Sequence, residues 1–151
     1  MTGVLAAIRP DDWNFPLFLH VLGAMILVGA MLTGASALAF ARGDDRLLRL
    51  GYWTLLVVGL PSYALMWGAA HWIYSKEGLD DSPIDSAWTT IGFVVAEGGA
   101  LVLLAALITG GIGVRRLPSG GQGLLKATLI LSLVLLAALV VAVWAMSAKP
   151  D

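Results

Sequence analysis

FPLFLHVLGAMILVGAMLTGASALAFA, residues 15–41, decides how the chain must fold, because it carries no Asp, Glu, Lys or Arg. A hydrocarbon layer about 30 Å thick is crossed by about 20 apolar residues of helix, and this run is longer than that. Pro16 suits a helix start, where its missing N–H falls among donors that have no intrahelical partner anyway. Outward from this run, the charged break ARGDDR at 41–46 leads to a second apolar run over about 50–74. The polar KEGLDDSPID at 76–85 separates that from a third over about 87–114. The third stops at Arg115 and Arg116, LPSGGQG at 117–123 makes a turn, and a fourth covers about 124–147.

These runs occupy most of the 151 residues, of which 59% are apolar and 13% charged, with a mean hydropathy of +0.88. Only helices and closed barrels satisfy the backbone in lipid, and continuous runs lack the alternation of barrel strands. The expected fold is all-α: one transmembrane domain over 1–151, an integral membrane four-helix up-and-down bundle. Lys and Arg of short loops are retained on the cytoplasmic side. Arg42, Arg46, Arg49, Arg115, Arg116 and Lys126 flank the first and third connections, and outnumber Arg9, Lys76 and Lys149 at the other end. Both termini are therefore expected outside (N-out/C-out), in a multi-pass protein of a bacterial plasma membrane. Asp11, Asp12, Glu77, Asp80, Asp81 and Asp85 then form an acidic outer rim, and Trp13, Trp67, Trp72, Trp88 and Trp144 an interfacial belt. A rival reading takes the first run as a cleaved signal peptide, with small-residue cleavage positions in ASALAFA before Arg42. The run is longer than the usual core of about 7–15 residues and lacks a basic lead.

Composition also excludes function classes. The net charge of −1 and the lack of any long basic stretch leave no phosphate-binding patch for nucleic acid. The absence of cysteine removes disulfides, thiolate metal sites, haem c attachment and cysteine nucleophiles. No P-loop, HExxH zinc motif or nucleophile elbow is present, and SGGQG, with no Lys-Ser or Lys-Thr after it, reads as a plain turn. No equipment for enzymatic work on water-soluble substrates is visible. Each hairpin passes a basic turn and then rises through a Leu pair, Leu47-Leu48 and Leu124-Leu125, a faint internal repeat. Gly23, Gly29 and Gly34 in the first helix, with Gly92, Gly98, Gly99, Gly110 and Gly113 in the third, nominate these two for close packing.

Ionisable residues inside a membrane span are functional candidates by default, and His20, His71 and Glu97 qualify. Counted at about 1.5 Å per residue, His20 and His71 share a depth about one turn below the outer boundary. Two imidazoles at one height on different helices can hold a haem b iron. The alternative has His20 donating to a carbonyl of a neighbouring helix and His71 reaching interfacial water. A copper reading adds Met25 and Met66 to the two histidines, since thioether and imidazole suit Cu(I). Against it, offsets of five residues on one helix do not share a face. Glu97 is expected near the middle of the third helix as a buried polar group, beside a kink made by Pro61 together with Ser62 and Tyr63. Pro61 removes a backbone donor and crowds the Val57 carbonyl. Glu97 there either carries protons, a cation or a quinone, or is a neutral carboxyl bonded to Ser62, Tyr63 or a kink carbonyl.

FPLFLHVLGAMILVGAMLTGASALAFARGD, residues 15–44, resembles the opening helix of the DUF2269 family of bacterial four-helix membrane proteins. It is also similar to that of the copper-resistance D domain and its haem-associated relatives, where a His in an LHV-type first helix is a feature. The resemblance covers about the first half of the chain and implies one position, His20, as a metal or haem contact. Taken together, the sequence is expected to specify a non-enzymatic small structural or accessory subunit of a membrane assembly, with a protein partner or a second copy in the bilayer. The alternatives are a haem b electron carrier using His20 and His71, and a copper-handling or proton-handling protein.

Overall fold

The computed structural model describes residues 13–76, 78 and 87–148, which form four long helices and no strand. These are α1 (Asn14–Phe40), α2 (Asp45–Lys76), α3 (Ala87–Arg115) and α4 (Gln122–Ala148), each long and apolar enough to cross a membrane. The acidic rim (Asp11, Asp12, Glu77, Asp80, Asp81 and Asp85) and the cations Arg9 and Lys149 lie outside the described residues.

Neighbours in sequence are antiparallel neighbours in space. Gly23 of α1 meets Met66 of α2 while Gly34 meets Leu55, and Gly92 of α3 meets Met146 of α4 while Gly113 meets Leu125. The α1–α2 and α3–α4 hairpins join through α1 against α4 and α2 against α3, so α1 and α3 are diagonal to one another. The core between them is built from Leu27, Met31, Leu55, Leu103, Leu125 and Leu135, all essentially inaccessible. The glycines of α1 pack against the hairpin partner α2, while those of α3 meet both α4 and, at Gly99, Gly110 and Gly111, the tyrosines Tyr63 and Tyr52 of α2; a Cβ on Gly29 or Gly98 would touch nothing within 4 Å.

Helix α2 begins well before the apolar run that the sequence marks. The Asp44 side chain accepts from the Arg46 N–H at 2.8 Å, capping one of the unpaired donors of the first turn. The amphipathic segment DRLLRLGYWT can then be helical while its charged side faces outward, with Leu48 and Gly51 buried. Before Asp44 the chain reverses through Arg42 (φ +45°) and Gly43 (φ +91°), closed by Asp44 N–H donating to Ala41 C=O at 2.7 Å. SGGQG is a turn as read, in which Gly121 N–H donates to Arg116 C=O at 2.8 Å.

Pro61 leaves its mark one turn upstream. Leu55–Gly59 is a π-helical turn, in which Leu60 N–H reaches back to Leu55 C=O. The wide turn makes room for the proline ring, and the Ser62 hydroxyl donates to Val58 C=O at 2.6 Å. Hydroxyls also join the second hairpin. Thr109 and Thr128 are 3.0 Å apart at their Oγ1 atoms, and Thr128, fully buried, also contacts Ala106 C=O.

Candidate functional site

Antiparallel packing brings one set of aromatic residues together towards the end of the bundle opposite the basic turns. Trp72 of α2 meets Phe15 of α1 edge-on with centroids 6.3 Å apart, and Tyr74 of α2 meets Phe93 of α3 at 4.8 Å. Between these rings and the π-turn lies the contact of α2 with α3. A lateral cleft of about 240 Å³ opens there, lined by Leu60, Tyr63, Ala64, Trp67, Glu97 and Ala100.

Three side chains of successive turns of α2 face α3, Tyr63 and Trp67 in this cleft and His71 one turn further on. The Tyr63 hydroxyl donates to Ala96 C=O, and its ring stands where a side chain on Gly99 would be. Trp67 Nε1–H donates to Glu97 Oε1 at 2.9 Å. The His71 ring lies over Trp67, with centroids 4.1 Å apart, and edge-on to Phe93. His71 Nδ1 lies 3.1 Å from Trp67 C=O, so it is the protonated nitrogen, and Nε2 faces Glu97 Oε1 at 3.8 Å. That gap is longer than a hydrogen bond.

Two expectations for these residues are corrected. Glu97 and Pro61 are exposed rather than buried, with the Glu97 side chain 59% accessible where it lines the lateral cleft. Glu97 also sits about a third of the way along α3, ten residues or about 15 Å from Ala87. Ser62 and Tyr63 are buried. Ser62 is on the face of α2 that packs on Gly23 of α1, away from Glu97. The partner of Glu97 that the sequence did not nominate is Trp67, four residues past Tyr63 and hence on its face.

The two histidines go to different neighbours. His20 Nδ1, on α1, lies 3.0 Å from Met66 C=O and so carries the proton donated to it. Met66 is on the α1 side of α2, while His71 is on the α3 side. Met66 is buried in the α1–α2 contact and Met25 is exposed on α1, so the copper set His20, Met25, Met66 and His71 is distributed over several faces. Among the described residues, no group of three or more His, Cys, Asp or Glu could hold a metal ion. Comparison of the chain with family models, with characterised proteins and with solved structures returned no match.

Proposed function

We propose that the protein is a small accessory subunit of a bacterial plasma-membrane assembly, oriented N-out/C-out, whose cleft between α2 and α3 is covered by a transmembrane helix of its partner. The exposed Glu97 carries this reading. A carboxyl facing hydrocarbon is costly, and such groups are found facing a bundle interior, a cavity or a partner. Trp67 satisfies one oxygen with one donor, leaving acceptor capacity for a donor or cation on the covering helix. The rims suit close approach, with Ala64 and Gly68 exposed on α2 and Gly98 on α3. The first-helix resemblance to bacterial four-helix membrane families agrees with the proposed location.

A second reading, proton handling at the same place, is favoured by the 3.8 Å spacing of His71 and Glu97. Haem or copper receives less support, since His20 of α1 is bonded to Met66 C=O on the α1 side of α2 while His71 is on the α3 side of α2.

The lack of native cysteine allows single-cysteine probes without background. Leu101, 71% exposed on the Glu97 face of α3, and Val141, 50% exposed on α4, take a cysteine-directed photocrosslinker in native membranes. The subunit reading expects one defined adduct from Leu101→Cys and none from Val141→Cys, with Glu97→Ala abolishing the first. Equal labelling of both sites by a lipid-soluble thiol reagent, without adducts, would overturn it. Proton uptake by reconstituted protein that Glu97→Gln abolishes would favour the second reading.

A further inference from the structure

At the opposite end of the molecule the geometry points to a binding site for the phosphate of an anionic phospholipid, held by Arg42 and Lys126 over the pocket between α1, α2 and the start of α4. The cavity measures about 180 Å³; Leu38, Leu48 and Leu125 form its apolar floor, and Arg42, Gln122 and Lys126 stand at its rim. An apolar floor under a cationic rim matches a lipid, with acyl chain below and phosphodiester above. Basic pockets between helices near the cytoplasmic surface recognise such headgroups.

Three further observations support the assignment. Arg42 lies in a two-residue reversal with φ positive at both central positions, +45° at Arg42 and +91° at Gly43. Turns of that kind favour Gly, Asn or Asp, so a long cationic side chain is kept at the rim against backbone preference, the sort of outlier that points to function. Gln122 is also the first residue of α4, so unpaired N–H groups and the positive end of the helix dipole lie at the same rim. Finally, neither Arg42 nor Lys126 is paired with a carboxylate among the described residues. Asp44, the nearest acid in sequence, accepts from the Arg46 N–H, and Asp45 lies in the first turn of α2.

The full chain, delipidated in a zwitterionic detergent, is titrated with phosphatidylglycerol, with phosphatidylcholine of the same acyl chains, or with inorganic phosphate, and bound ligand is measured by native mass spectrometry. Arg42→Gly preserves the turn and Lys126→Gln the helix, so folding is not at stake. Arg115→Gln removes the same charge from the same end without touching the cavity. We expect saturable binding of phosphatidylglycerol in preference to phosphatidylcholine. Arg42→Gly and Lys126→Gln should each weaken it about fivefold, the effect of one cation near an anionic headgroup, and Arg115→Gln should change it little. Equal binding of phosphatidylcholine would overturn the site, as would an Arg115→Gln loss as large as the other two, which would mean diffuse charge attraction. Inorganic phosphate binding as tightly as phosphatidylglycerol would overturn the lipid assignment.

Discussion

The sharpest test of the packing is one substitution made twice on the same helix. A Cβ on Gly23 would lie 2.8 Å from Met66 N and 3.1 Å from both Met66 Cα and Ser62 C=O, so it meets main chain that cannot rotate away. Ordinary contact begins near 3.4 Å, so α1 and α2 must separate by about 0.6 Å at this level. A gap of about 0.5–1 Å forfeits a quarter to a half of each dispersion contact it opens, and overpacking of this kind typically costs about 1–3 kcal/mol. The separation also stretches the bond from His20 to Met66 C=O, worth about 0.6 kcal/mol on average between membrane helices. Better helix propensity of Ala returns about 1 kcal/mol, leaving Gly23→Ala destabilised by about 0.6–2.6 kcal/mol. Gly29, with nothing within 4 Å of a built Cβ, should be stabilised by up to about 1 kcal/mol by the same change. Unfolding free energies measured by steric trapping in bicelles compare the two variants directly. Equal effects at both positions, or a Gly23→Ala protein as stable as the parent, would refute the reasoning.

Other outcomes follow from single contacts. Tyr63→Phe removes the hydroxyl that donates to Ala96 C=O, and should lower stability by about 1 kcal/mol, read as a lower midpoint in the same unfolding assay. Thr128→Val keeps the shape but deletes the hydroxyl shared with Thr109; it should loosen the α3–α4 hairpin by about 0.6–1.7 kcal/mol, with a cysteine pair across that interface reporting faster exchange. Trp67→Phe leaves the Glu97 carboxyl without its indole donor, and should increase reaction of Glu97 with a lipid-soluble carbodiimide, while unchanged reactivity would count against the bond. Arg42→Gly relieves a left-handed backbone at φ +45° and should stabilise the chain by about 1 kcal/mol in lipid-free detergent.

The four helices were legible because a hydrocarbon solvent constrains sequence more harshly than water does. Residues 15–41 and 124–147 could be little else, and the observed helices Asn14–Phe40 and Gln122–Ala148 differ from them by one or two residues at each end. The start of α2 was hidden because hydropathy marks the edge of an apolar run and not the end of a helix, and residues 45–49 form an amphipathic start held by the Asp44 cap. The site was only partly legible. His20, His71 and Glu97 stand out by being ionisable, but their partners depend on which way each helix is rotated, which composition does not encode. Trp67 looked like a member of an aromatic belt, although its spacing from Tyr63 and His71 places all three on consecutive turns. Thr109 and Thr128 gave no warning, because a hydroxyl can bond its own helix as readily as the next one.

The π-turn at Leu55–Gly59 is equivalent to one inserted residue, and a residue in a helix is an angle of about 100° as well as a rise. It therefore acts as a phase shifter. Everything on α2 beyond it is turned as a block relative to the half that carries Tyr52, and Tyr63, Trp67 and His71 are aimed together at α3, the first at Ala96 C=O and the other two at Glu97. Deleting one residue from this turn should barely shorten the helix, yet it would re-aim the cleft side chains at once.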